Sequence, residues 1–180
     1  LYCEAKTSKR RLQVQSVYYQ ITDVLMRLFA PILAHTMEEF YQQGFSNDEK
    51  SVHLLSFIKP TKLDDQLLSE YQTLMLIKDD VSKAIEEARN QEIIKSSLEA
   101  SISINLVTDE FKRIMSKLND VERKRLFIVS GLTEVTDQLT TFKNIQVLVS
   151  PHQGVKCDRC WNYFDKELIH QQMCPRCLSV

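Results

Sequence analysis

The amino-acid sequence predicts an α+β protein: helices first, a small mixed unit of strands and helices next, and a short cysteine-bearing knuckle last. Three observations predict it. Apolar residues recur in steps of three and four between Thr7 and Ala30, they alternate with polar ones from Ile102 to Leu106, and four of the cysteines fall near the end as two C-x-x-C pairs. The 180 residues are 43% apolar and 26% charged with only 3 Gly and 4 Pro, which excludes a linker-rich or disordered chain. No apolar run approaches the roughly 20 residues of a membrane helix, so no membrane partner is expected. Leu1 to Arg11 lacks the apolar stretch of a secretory leader. The missing initiator Met sets the expectation of a fragment of something larger.

The first helix is predicted from Thr7 to Ala30, with Val14, Val17, Tyr18, Ile21, Val24, Leu25, Leu28 and Phe29 on its stripe. Pro31 ends it, because proline lacks the amide donor and crowds the preceding turn. Thr36 and Glu39 fit a capping box, starting a second helix that runs to Gln43, with Gly44 suited to a left-handed end. This pair exposes an apolar stripe that needs a partner. A polar stretch, Phe45 to Lys50, marks a boundary. Ser51 to Phe57 reads as a strand, followed by a turn at Lys59-Pro60.

Asp64 or Asp65 caps a long helix carrying Leu67, Leu68, Tyr71, Leu74, Met75, Val81, Ile85 and Ala88 on one face. Ile102 to Leu106 has the two-residue period of a half-buried strand. Thr108 caps a shorter helix with Phe111, Ile114, Met115 and Leu118. Leu126 to Val129 and Ile145 to Val149 read as further strands. The predicted organisation is a helical pair over 1–45, an α/β unit over 46–150 and the knuckle over 151–180.

Net charge is −1, so no global basic field draws in nucleic acid. Its distribution is uneven. Lys6, Lys9, Arg10 and Arg11 face only Glu4 over residues 1–14, a local +3, whereas 44–150 hold 14 Lys/Arg against 17 Asp/Glu, a local −3. The basic start fits a nucleic-acid footprint and equally a solvated helix face.

Cys157-Asp-Arg-Cys160 and Cys174-Pro-Arg-Cys177 are separated by 13 residues. Zinc takes four thiolates in a tetrahedron, each C-x-x-C presents two of them, and a closed set is structural rather than hydrolytic. About 30 residues bury too little to fold alone, and metal binding worth roughly 10–16 kcal/mol makes up the difference. Two disulfides would need an oxidising compartment, for which nothing argues, and a redox dithiol stands alone beside a βαβ pattern. One structural zinc is therefore expected, in a cytoplasmic protein, with Cys3 left as a small hydrophobe. His152 and His170 flank the site but a full cysteine set does not need them. Trp161, Tyr163 and Phe164 serve either as the knuckle's miniature core or as a stacking platform, with Lys156, Arg159 or Arg176 meeting phosphates.

Leu1-Tyr2-Cys3-Glu4, Arg10-Arg11, Arg27-Leu28-Phe29-Ala30-Pro31-Ile32-Leu33 and His35-Thr36-Met37-Glu38-Glu39 resemble the end of the anticodon-binding helical domain of isoleucyl-tRNA synthetases. Val81 to Glu99 is similar to the junction that follows, and Lys156-Cys157-Asp158-Arg159-Cys160-Trp161-Asn162-Tyr163 resembles the C-terminal zinc knuckle of the bacterial-type enzyme. The Arg-Leu-x-Ala-Pro-Ile-Leu stretch is shared with the valine, leucine and methionine enzymes; the knuckle with its tryptophan narrows the resemblance to isoleucine.

That resemblance implies a piece that contacts the anticodon arm of isoleucine tRNA, working with catalytic and helical domains elsewhere in the parent. A monomer is expected. HIGH is absent, and Ile114-Met115-Ser116-Lys117-Leu118 mimics KMSKS without its first lysine and final serine, so the fragment is expected to be catalytically inert. Only the last two helices of the anticodon-binding domain are matched, so no residue is assigned to an anticodon base. Lys9, Arg10, Arg11, Arg159, Trp161 and Arg176 are the candidate tRNA contacts, from charge, stacking ability and position.

Two other classes share the cysteines. The terminal knuckle of a DNA-repair glycosylase has similar spacing, but the N-terminal amine and helix–two-turn–helix that such an enzyme needs are not seen. A zinc-stabilised protein-interaction module would leave the first hundred residues unexplained.

Overall fold

A computed structural model describes residues 2–45, 49–60, 62–137 and 139–180. The chain forms two compact units, one over 1–62 and one over 63–179.

In the first unit, α1 (Lys9–Phe29) starts at Ser8, whose hydroxyl accepts from the Arg11 amide at 3.1 Å. The Ile32 and Leu33 amides turn back onto the Phe29 carbonyl, and α2 (Ala34–Gly44) starts at once from Leu33. Thr36 is therefore not the cap. The Leu33 carbonyl already accepts from Met37, placing Thr36 inside the helix, and Glu39 accepts from Gln43 instead of reaching back. Gly44 stays helical rather than left-handed, and Phe45 follows as the cap.

The expected strand at Ser51 to Phe57 is a single 3-10 turn, Val52–Leu54. The Glu38 carboxylate accepts from both the Ser51 hydroxyl (2.7 Å) and the Val52 amide (3.0 Å), which curls the backbone out of an extended course. The polar boundary stretch lies partly outside the described residues, at 46–48. Met26, Ala30, Tyr41 and Val52 form the buried core, with Tyr19 and Phe40 stacked on Phe45. Much of the α1 stripe stays exposed, including Val17, Tyr18, Ile21, Leu25 and Leu28.

The second unit hangs on α3 (Asp65–Asn90), capped by Asp64 through the Leu67 amide. Only its C-terminal half is buried, through Ile77, Val81, Ala84, Ile85 and Ala88, while Leu67, Leu68 and Tyr71 are exposed. That half packs on a three-stranded sheet. The central strand β1 (Ala100–Asn105) buries Ala100, Ile102 and Ile104, as its alternation predicts. After it come α4 (Asp109–Met115), capped by Thr108, and α5 (Asp120–Phe127). Two strands complete the sheet, β2 (Gly131–Glu134) parallel to β1 and β3 (Gln146–Pro151) antiparallel to it, giving the order β2-β1-β3.

The strand expected at Leu126 to Val129 is instead the end of α5. Asn119 and Glu122 form a reciprocal capping box that commits the segment to helix, and Ile128 ends it in the left-handed region at φ 58°. Asp80 is buried on α3 and takes the Asn144 and Ile145 amides on one carboxylate oxygen, which satisfies the backbone entering β3. Beyond the sheet lie β4 (Val155–Lys156), β5 (Tyr163–Phe164) and α6 (Pro175–Leu178). The α+β class predicted from sequence is the class observed, and it ends in a four-cysteine cluster.

Candidate metal centre and nucleic-acid surface

The first cysteine pair sits in the turn of a two-stranded ribbon. β4 and β5 pair antiparallel, Val155 opposite Phe164 and Lys156 opposite Tyr163. Their backbones approach so closely that a side chain at Gly154 would meet the Phe164 carbonyl at 2.6 Å. Between them the Trp161 amide donates to Cys157 O (2.8 Å) and the Cys157 amide to Asn162 O (2.9 Å). Trp161 closes this turn at φ 63°. The second pair lies at the start of α6, where Cys174 precedes Pro175 at the first helical position and Cys177 follows within the turn. Asp158 N–H donating to Gln172 O (3.0 Å) and Arg159 Nη1 donating to Cys177 O (3.1 Å) hold the two turns together.

The result is four sulfurs within 4.8 Å of one another, three buried and Cys160 half-buried. Cys160 and Cys174 Sγ are 3.8 Å apart. Zinc–sulfur bonds of about 2.3 Å at tetrahedral angles would put sulfurs about 3.8 Å apart, so the donor set and its spacing fit the ion. Burial pushes the Cys174 and Cys177 thiols up, and burial also opposes ionisation of Cys157. At Cys157 backbone donors from Cys160, Cys174 and Arg159 outweigh it and bring the thiol down to about 6. Four thiolates and no open position leave such an ion with a structural task and no substrate to polarise.

Neither histidine joins the sulfurs. His152 Nδ1 lies 2.7 Å from Ser101 Oγ on β1, and the His152 amide donates to Glu99 O at 2.6 Å. Its imidazole is held below the ordinary value by burial first and by the charge of Lys124 second. His170 is exposed and pairs its backbone with Met173. Sequence reasoning missed the contacts that join the knuckle to the sheet. The Tyr163 amide donates to Ser130 Oγ (2.8 Å), that hydroxyl donates to Leu98 O (2.6 Å), and Tyr163 Oη donates to Glu99 (3.3 Å). These partners are 32 to 64 residues apart, so no local pattern announces them.

The candidate nucleic-acid contacts fall in both units. Lys9, Arg10 and Arg11 occupy the first turn of α1, the first two exposed and Arg11 with Nη1 on Glu4 O. Arg159 and Arg176 are half-buried within the knuckle. Trp161 is 59% exposed, its Nε1 pinned to Asp158 O (3.1 Å) and Lys156 Nζ 5.6 Å from its ring centroid. The indole is thus a surface feature, while Tyr163 and Phe164 are half-buried. Lys117 in the KMSKS-like stretch is held by both Glu70 oxygens at 2.6 Å, and that stretch straddles the end of α4 rather than lying inside it.

Residues 1–104 match the family described as the anticodon-binding domain of tRNA ligase. The chain belongs to that family. Residues 154–180 match a second, the zinc finger found in FPG and IleRS, so the four-cysteine cluster is a structural zinc site. The chain is 39% identical over 189 residues to an isoleucine–tRNA ligase of Staphylococcus epidermidis. It is 37% identical over 186 residues to that of Macrococcus caseolyticus and 38% over 188 to that of Staphylococcus aureus. Each alignment covers all of this chain and 20% of the relative, so the chain spans about a fifth of their length. No helix among the described residues is long and apolar enough to cross a membrane.

Proposed function

We propose that this chain is the tRNA-binding C-terminal part of an isoleucine–tRNA ligase, contacting the anticodon arm so that the tRNA is in register for aminoacylation. The observation that carries the reading is one alignment running through the anticodon-binding match and the zinc finger together, over the whole chain. In this reading 1–45 ends a helical anticodon-binding domain, 46–150 forms the junction and 151–180 is the knuckle. Cys157, Cys160, Cys174 and Cys177 hold the zinc, which sets the fold of the knuckle and takes no part in chemistry.

Lys9, Arg10, Arg11, Arg159 and Arg176 meet phosphates, and the exposed indole of Trp161 offers a stacking face. Activation of isoleucine with ATP belongs to other domains of the parent, and this piece is catalytically inert. The uncovered apolar face of α1 accords with packing against helices of that parent. The parent is cytoplasmic and monomeric in this reading.

The test is binding to isoleucine tRNA and to one non-cognate tRNA across a salt series, with zinc present and then chelated. Preference for isoleucine tRNA that fades on chelation is expected, and replacing Arg10 and Arg11 by Ala should make the salt dependence shallower. Indifference to all RNA would overturn the reading in favour of a protein-interaction module, and equal affinity for duplex DNA would favour a glycosylase tail.

A further inference from the structure

Between α5 and the knuckle lies a cavity of about 500 Å³, lined in part by Cys174 of the sulfur cluster and not by the exposed tryptophan. Its apolar wall includes Val121, Val129 and Phe164; Tyr163 and His152 add rings; Lys124, Arg125, Arg176 and Asp165 add charged groups. We propose that this cavity receives one unstacked nucleotide of a bound tRNA, its base against the apolar and ring wall and its phosphate beside Lys124. The inference rests on the tRNA-binding reading and adds to it a nucleotide site apart from the Trp161 face.

The volume falls within the roughly 300–1,000 Å³ of ordinary small-ligand sites. A lining that is apolar and aromatic on one side and cationic on the other is what single-stranded RNA asks for, since every base has an apolar face and every nucleotide an anion. Lys124 is half-buried and makes no ion pair or side-chain hydrogen bond among the described residues. An ammonium on the wall with no bound partner is open to a charge-assisted contact with a phosphate. Burial first and that same charge second disfavour a cationic imidazole at His152, which adds a ring to the wall. The walls come from both sides of the Tyr163–Ser130 contact, so the cavity exists only while the knuckle is docked.

The experiment uses the zinc-loaded chain and isoleucine tRNA across a salt series, comparing wild type, Lys124→Gln and Val121→Trp, with zinc content and far-ultraviolet circular dichroism as checks on folding. Loss of one phosphate contact should reduce the salt slope by about one for Lys124→Gln. Val121→Trp fills the cavity without altering charge, so it should weaken binding about tenfold at fixed salt with the slope unchanged, in the range of one lost base contact. Wild-type affinity in Val121→Trp, whether or not Lys124→Gln responds, would overturn the pocket while leaving the tRNA-binding reading in place. Failure of the wild-type chain itself to retain tRNA would overturn that reading and the pocket together.

Discussion

The backbone amide of Tyr163 donates to the hydroxyl of Ser130 at 2.8 Å, and the same hydroxyl donates to the Leu98 carbonyl at 2.6 Å. One buried side chain thereby joins the ribbon of the knuckle to the starts of both parallel strands. Ser130→Ala leaves an amide and a carbonyl without partners, at a cost of about 2 kcal/mol. Thermal unfolding should show the loss while zinc content stays at one per chain. An unchanged midpoint would mean that water replaces the hydroxyl.

Cys174→Ser removes one thiolate and a buried one. The variant should lose its zinc and unfold the residues after about 150, leaving the sheet and α3 intact. Metal analysis checks the first part, and the emission of Trp161, the only tryptophan, checks the second. Retention of the metal would rule out the proposed ligation.

Ile128 is a β-branched residue held at φ 58° with its side chain 53% exposed. A left-handed backbone costs such a residue about 1–2 kcal/mol, and asparagine much less. Ile128→Asn should therefore raise the unfolding midpoint by about 2–4 °C, as judged by calorimetry.

His152 titrates below its ordinary value of 6.5 because burial and the Lys124 charge disfavour the imidazolium. As pH falls through 6.5 the unfolded chain takes up this proton before the folded one does, so stability declines from there until the folded value is passed. His152→Gln keeps a polar partner for Ser101 but should flatten that part of the profile. Chemical unfolding from pH 7.5 to 5.5, with zinc content followed in parallel, separates this from loss of the metal.

What could be read from the sequence was local. Asp64 and Thr108 announced helices because a cap acts over three residues, and Cys157 to Cys177 announced a metal site because ligand spacing is written along the chain. Leu126 to Val129 misled because four apolar residues in a row resemble a strand, while the deciding bonds lie upstream between Asn119 and Glu122. Thr36 and Glu39 misled in the opposite way, as a valid capping pattern pre-empted by a helix that had started at Leu33. The long stripe of α3 is buried only where the sheet reaches it, and no period within the helix says how far that is. Asp80 and Ser130 could not be found at all, since their partners lie 64 and 33 residues away.

The central position of β1 has a consequence for the order of assembly. Its partner on one side is parallel and arrives about 26 residues later; its partner on the other is antiparallel and arrives only with Gln146–Pro151. Until that last strand has been made, β1 carries an open edge of unpaired amides and carbonyls. Five residues then separate Pro151 from Cys157. A ribosome making this chain therefore supplies the closing strand before the metal clasp, whose last ligand Cys177 comes 26 positions after Pro151, so a truncation anywhere before Gln146 forfeits both.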